Sequence, residues 1–224
     1  MVRFMCTGRI DPAFIVRAFS NGMDCVFIGC CWPGECHYPM EGNYHALSMV
    51  LLTRKLLKHI GMNPERLRLE WVSAAQGIRF AEVINDVVRN VKELGPIGKG
   101  EGIDENGLKF KLEAIRNLLP YIKMVERERL RVPVDTEVAY EEFFASDEVD
   151  RLFHELIVDP LVMSQIMLLL REKPLSAGEI SATLGLNSSE ASRFLNRSSR
   201  QGFIRFDESQ KRFVPVRSDR AGVR

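Results

Sequence analysis

Hydrophobic positions along this chain follow two different periods. Residues 25–30 are an almost unbroken apolar run, Cys25-Val26-Phe27-Ile28-Gly29-Cys30, the pattern of a strand covered on both faces. Residues 66–73 alternate instead. Leu67, Leu69 and Trp71 share one side and Arg66, Arg68 and Glu70 the other, which predicts a half-exposed strand at a sheet edge. Residues 2–6 predict a further short apolar strand. Helical periods separate these runs. Asp11-Pro12 opens a helix to about residue 20, with Asp11 as N-cap and Pro12 in the first helical position. A long helix over residues 43–60 is ended by Gly61. Phe80, Val83, Ile84, Val87, Val88, Val91 and Leu94 recur at helical spacing until Gly95-Pro96. Strand and helix alternate three times, which predicts an α/β fold with a small parallel sheet flanked by helices.

The pattern then changes. Residues 97–107 are rich in Gly and charge and read as a linker. Residues 108–156 read as a helical connector, interrupted near Pro120 and Pro133, with Glu and Arg on a solvated face. A helix over 161–171 stops before Pro174. Ser176-Ala177-Gly178-Glu179 has capping-box spacing and opens a short helix to Leu184. The turn Gly185-Leu186-Asn187-Ser188 leads into a helix over 189–201. Short strands at 203–206 and 212–216 follow, so the whole forms a winged helix-turn-helix pattern. The expected organisation is an α/β domain at 1–96, the linker and connector at 97–156, the winged helix at 157–217 and a flexible tail at 218–224.

Composition narrows the class only a little. The 46% apolar and 27% charged fractions are those of an ordinary globular chain. The net charge of +1 hides an asymmetry. Residues 1–156 hold 20 Lys and Arg against 23 Asp and Glu, and the remainder holds 11 against 7, so the C-terminal part is mildly basic. No apolar run approaches the roughly 18–20 residues that span a bilayer, and the N-terminus has no secretory pattern. The expected location is cytoplasmic, without membrane contact. Thiols are then reduced, and five cysteines read as ligands or buried residues before they read as disulfides.

The cysteines carry the candidate chemistry. Cys31-Trp32-Pro33-Gly34-Glu35-Cys36-His37 sets two thiols around a Pro-Gly turn directly after an apolar strand, and Cys6 ends another. Soft thiolates clustered at strand ends suit an iron–sulfur cluster or zinc. In a parallel sheet the C-terminal strand ends share one edge, so Cys6, Cys30, Cys31 and Cys36 can be neighbours. Cys25 lies at the far end of its strand, roughly 17–20 Å from Cys31, and reads as a small buried residue. Adjacent Cys30 and Cys31 point to opposite faces, and Cys31 is favoured because the turn begins after it. The metal ligands are therefore expected at Cys6, Cys31 and Cys36. Cys30, His37 or a partner chain completes the set or supports it.

At these positions the sequence resembles the delta subunit family of methyl-viologen-reducing hydrogenase, over about residues 1–96. The resemblance rests on four ordered segments. They are Met5-Cys6-Thr7-Gly8-Arg9-Ile10-Asp11-Pro12, Gly29-Cys30-Cys31-Trp32-Pro33-Gly34-Glu35-Cys36-His37-Tyr38, Glu41-Gly42-Asn43-Tyr44 and Pro64-Glu65-Arg66-Leu67-Arg68-Leu69-Glu70-Trp71. It implies a 2Fe–2S cluster. It also implies electron transfer between a hydrogenase or other dehydrogenase subunit and the flavoprotein subunit of a heterodisulfide-reductase-type complex. The family pattern places cysteines at Cys6, Cys31 and Cys36, usually Gly at the positions of Cys25 and Cys30, and His at that of Trp32. Its members begin with one more strand and a two-cysteine segment ahead of the position of Cys6. A truncated start, a segment supplied by another chain or an altered cluster would each account for the difference.

The C-terminal module allows a rival reading. Arg193, Arg197 and Arg200 form one stripe on the second helix of the helix-turn-helix, where side chains can face phosphates or guanine edges. A solvated or protein-docking face is the favoured expectation, and DNA is retained as the lesser one. No nucleophile triad, P-loop or dinucleotide loop is present in the sequence, so catalysis on a substrate is not expected of this chain alone. The rival to an electron carrier is a metal- or redox-sensing winged-helix DNA-binding regulator. A zinc-stabilised scaffold is the third option.

Overall fold

The computed structural model describes residues 2–38 and 42–216. Glu41 of the third resemblance segment and the expected tail at 218–224 lie outside the described residues. The chain divides into two compact units, between Phe153 and His154.

In the first unit, α1 (Pro12–Ser20) begins as its sequence dictates. Asp11 Oδ1 accepts a 2.8 Å hydrogen bond from the Ala13 N–H, and Pro12 needs no N–H partner at that position. Two parallel strands follow, β1 (Val26–Cys30) and β2 (Leu67–Trp71), in register from Val26 beside Leu67 to Cys30 beside Trp71. Between them runs α2 (Asn43–His59), which buries Ala46, Leu47, Val50, Leu56 and Leu57. After β2 come α3 (Gly77–Leu94), α4 (Glu105–Arg129), α5 (Glu137–Ala145) and α6 (Asp147–Phe153). Helix α4 lies along α1, and α5 packs on α2. The helices at 105–153 thus share the core of the first unit.

Three local expectations are corrected. Residues 2–6 form no strand. Cys6 has extended backbone, but no neighbour takes up its ladder bonds, and a 3₁₀ turn at Thr7–Arg9 follows. The described sheet of this unit therefore has two strands. Helix α4 runs through Pro120 unbroken. An interior proline costs about 3 kcal/mol, but burying Leu112, Ile115, Leu119, Ile122 and Val125 along one face contributes roughly 1.5–3 kcal/mol each. Arg66 is not on a solvated face. It sits in the 3₁₀ turn Pro64–Arg66 ahead of β2 and is fully buried. Its guanidinium is bidentate to Glu101, at 2.5 and 3.1 Å, and donates to the carbonyls of Asp24, Gly95 and Leu94.

The second unit contains a π-helical turn (His154–Val158), α7 (Asp159–Glu172), α8 (Ala177–Leu184), α9 (Ser188–Arg200) and the antiparallel hairpin β3 (Ile204–Asp207) and β4 (Arg212–Pro215). Both helices of the helix-turn-helix start with a reciprocal cap, Ser176 with Glu179 and Asn187 with Glu190. Gly185 supplies the left-handed turn between them. Leu161, Ile166, Leu170, Ile180, Ala191, Phe194, Leu195 and Ile204 form the core. This is a winged helix-turn-helix.

One helical run among the described residues, Asp147–Glu172, is long and apolar enough by length and composition to cross a membrane. A count of uninterrupted apolar runs misses it, because Glu155 and Asp159 punctuate it. Its residues Val149, Ile157, Leu161 and Ile166 have no exposed surface, and 33% of its most apolar window is buried.

Candidate metal centre

The C-terminal end of β1 delivers Cys30 and Cys31 to one place. Cys30 is fully buried beside Trp71, and its carbonyl accepts from the Val72 N–H at 2.7 Å. Cys31 is half-buried at the mouth of the turn, and Cys36 lies across it. The extended backbone at Cys6, followed by the Thr7–Arg9 turn, brings a fourth thiol to the group. All four feel one another electrostatically. Burial pushes the Cys30 thiol up to about 12, reinforced by the charges of Cys31, Cys6 and Cys36 and opposed by the Thr7 hydroxyl. Burial likewise pushes Cys31 up to about 11, with the hydrogen bond its thiol donates to Cys36 adding to it. Cys36 moves the other way. Burial raises it, but backbone hydrogen bonds at Tyr38 and Asn43 and side-chain bonds with Cys31 and Cys6 outweigh burial and leave it below the ordinary thiol value. Cys36 is the thiol this site favours as thiolate.

The start of α2 explains that preference. The first N–H groups of a helix have no intrahelical partner and carry the positive end of its dipole. Asn43, the first residue of α2, is 1% exposed, and its Nδ2 donates to the Cys31 carbonyl at 3.3 Å. Gly42 precedes it. A Cβ at Gly42 would overlap Cys36 Sγ and stand 2.5 Å from the Tyr38 carbonyl oxygen, so only glycine admits the sulfur here. Thr7 Oγ1 is buried, has no hydrogen-bond partner of ordinary geometry among the described residues, and bears on the Cys30 thiol. These residues fit a thiolate-bound metal group. The donors are soft, a helix start faces them, and a spare hydroxyl is at hand. Among the described residues, no three His, Cys, Asp or Glu side chains already converge as a metal site. The thiols are gathered but not closed upon a centre.

The other sequence candidates fall elsewhere. Cys25 precedes β1, at the end opposite Cys31, and burial raises its thiol. His37 is exposed and packs edge-on against the Tyr38 ring, 4.9 Å between centroids. On α9, Arg193 and Arg197 both turn to Asp159, at 3.5 and 3.2 Å. Arg193 also stacks on Phe194. Reading of the residues alone missed the roles of Gly42, Asn43 and Thr7. Gly42 and Asn43 stood only inside a resemblance segment, and nothing local in a Gly-Asn pair shows which sulfur it will face. Gly42→Ala is expected to lower metal affinity by about 10–100-fold, as loss of a supporting contact does. Iron content against wild type checks this, and unchanged iron would show that the turn yields.

The comparisons divide the chain where the fold does not. The model of the methyl-viologen-reducing hydrogenase delta subunit family matches residues 1–95, and that of the arsR family of bacterial regulatory proteins matches residues 162–205. An F420-non-reducing hydrogenase iron-sulfur subunit of Archaeoglobus profundus is 49% identical over 96 residues, which are 43% of this chain and 69% of that protein. The vhc-type F420-non-reducing hydrogenase iron-sulfur subunit of Methanococcus voltae is 44% identical, over 66% of its length. One subunit of the ferredoxin/F420H2-dependent CoB-CoM heterodisulfide reductase of Methanosarcina acetivorans is 41% identical over 98 residues, only 12% of its length. Cys6, the Cys31–Cys36 turn, Gly42-Asn43 and β2 all fall within the matched stretch. Through it, the chain belongs to the methyl-viologen-reducing hydrogenase delta subunit family.

Proposed function

We propose that this protein is an electron-transfer subunit carrying an iron–sulfur cluster of the 2Fe–2S type on Cys6, Cys31 and Cys36. Its donor would be a hydrogenase or another dehydrogenase, and its acceptor a heterodisulfide-reductase-type flavoprotein, in the cytoplasm. The observation that carries this reading is the gathering of Cys6, Cys30, Cys31 and Cys36 around the start of α2. The relatives support it: some are named iron-sulfur subunits of hydrogenases, and one is a heterodisulfide reductase subunit that contains the same stretch.

A bound cluster would supply a carrier that gains and loses one electron. The residues of this chain would do the rest. Cys6, Cys31 and Cys36 would hold it, and buried Cys30 or a partner's side chain would complete the set. The backbone at Tyr38 and Asn43 stabilises negative sulfur at Cys36. Gly42 leaves room for that sulfur. Zinc is the alternative occupant of the same thiols. Iron and sulfide analysis with electron paramagnetic resonance on anaerobically purified protein tests the reading. Two iron and two sulfide per chain are expected by the proposed cluster type. Zinc in place of iron would overturn it.

The arsR-family match favours a second reading, a DNA-binding regulator. The ion pairs to Asp159 oppose it, because they engage two of the three stripe arginines, both exposed, within the chain itself. We expect only weak, salt-labile association with duplex DNA and no sequence preference. An electrophoretic shift with the full chain checks this, with Arg193→Ala/Arg197→Ala/Arg200→Ala as control. Tight binding to one sequence at physiological salt, lost in the triple variant, would bring the regulator reading forward.

A further inference from the structure

A layer of side chains beside the thiols has no role in the function proposed above. Trp32 directly follows Cys31. Its Nε1 donates to Gln76 Oε1 at 2.8 Å, and the same oxygen accepts from the Ser73 N–H at 3.0 Å. The indole is therefore held at its edge by a fixed amide. Its face is covered by the Arg79 guanidinium, 5.0 Å from the ring centroid. Arg79 is itself anchored, since its Nε donates to the Trp71 carbonyl at 3.0 Å. Trp71 stands abreast of Cys30 in the sheet. One cation is thus pinned between the residue after Cys31 and the residue beside Cys30.

The surrounding charges do not cancel it. Glu70 Oε2 lies 3.6 Å from Arg79, but Glu70 also takes Arg68 at 2.8 Å. Arg68 in turn reaches Asp86, which Arg89 also engages. This connected group holds three guanidiniums and two carboxylates, so it keeps one net positive charge. Arg79 is the member held over Trp32, the residue after Cys31, and to the carbonyl of Trp71, abreast of Cys30. A redox group on thiolates becomes more negative when it takes up an electron. A fixed cation close by stabilises that form more than the oxidised one.

We propose that Arg79, clamped on Trp32, raises the reduction potential of the metal group bound at Cys31 and its neighbours. The inference rests on the iron–sulfur reading. Arg79 is a positioning residue whose charge acts through space, and Trp32 and Gln76 fix where that charge sits. An ordinary solvated ion pair would have no such effect. Arg79 side-chain exposure is 39%, against 71% for Arg89.

A redox titration of the full, anaerobically iron-loaded chain tests this by visible absorption and paramagnetic resonance. Arg79→Gln is expected to lower the reduced-to-oxidised ratio at fixed potential by about tenfold, a negative shift of about 59 mV for one electron. Arg79→Lys keeps the charge and should recover most of the shift. Arg89→Gln, at the far end of the same group, should leave the midpoint where it is. Glu70→Gln removes the carboxylate that partly offsets Arg79 and should move the midpoint positive, which keeps the test open if Arg79→Gln loads poorly. Intact iron with an unmoved midpoint in both Arg79→Gln and Glu70→Gln overturns the proposal. Wild-type protein that takes up no iron overturns the electron-carrier reading instead, so the two failures are distinct.

Discussion

Replacing Cys6, Cys31 or Cys36 by Ser is expected to remove most of the iron from anaerobically purified protein, and Cys25→Ala is expected to remove none. The contrast follows from position. The first three thiols lie within electrostatic reach of one another near the end of β1 and the start of α2, whereas Cys25 stands before β1 at its opposite end. Serine keeps the size of the side chain but replaces a soft sulfur donor with a hard, rarely ionised oxygen. Cys30→Ala discriminates among completed ligand sets. If Cys30 is the fourth ligand, its loss matches that of Cys31. If it only lines the floor, iron stays and the surrounding core loses a small side chain that has no exposed surface. Equal iron loss in Cys25→Ala would show that the cluster lies elsewhere.

Arg66→Met is expected to destabilise the first unit by about 3–5 kcal/mol, the cost of leaving a buried partner charge unpaired. Glu101 would lose its cation, and the carbonyls of Asp24, Leu94 and Gly95 would lose their donor together. These contacts tie the segment after α3 to the start of both strands. Both tryptophans of the chain, Trp32 and Trp71, lie in this unit, so denaturant unfolding followed by tryptophan fluorescence reports on it. A change below about 1 kcal/mol would place the pair among the weak ones. The same pair carries a pH dependence. Burial raises the Glu101 carboxyl, but its bonds to Arg66 and to the Asn63 and Gly98 N–H groups outweigh burial and hold it below the usual carboxylate value. A depressed folded-state value means that its contribution is complete above the unfolded value of about 4.3. It is lost as pH falls through the folded value. Glu101→Gln should therefore flatten the acid limb of the stability profile of this unit.

Local patterns settled a large part of this architecture. Asp11-Pro12, Ser176 with Glu179, and Gly185 each act within four residues, and each starts or ends its helix where the sequence predicts. Leu67 and Trp71 are buried as the period of two requires. The winged helix was legible because its caps, turn and hairpin are all short-range signals. Cys30 and Cys31 were legible at the end of a strand, whereas Cys6, expected to end another, joins the group from an extended segment that pairs with no described strand. Four other features were decided only by tertiary structure. An extended run becomes a strand only if another backbone pairs with it, and residues 2–6 find none among those described. Pro120 is tolerated because a distant face of α4 has enough apolar area to bury. Arg66 looks solvated in its own alternating run and is buried because Glu101, 35 residues later, folds back onto it. Arg79 and Trp32 are 47 positions apart in the numbering and carry no shared pattern. Their contact exists because β1 and β2 are adjacent and α3 begins beside them. Sequence periodicity encodes which face of an element is apolar. It does not encode which charge from another element that face will meet, and here that meeting places the Arg79 guanidinium over Trp32, the residue after Cys31.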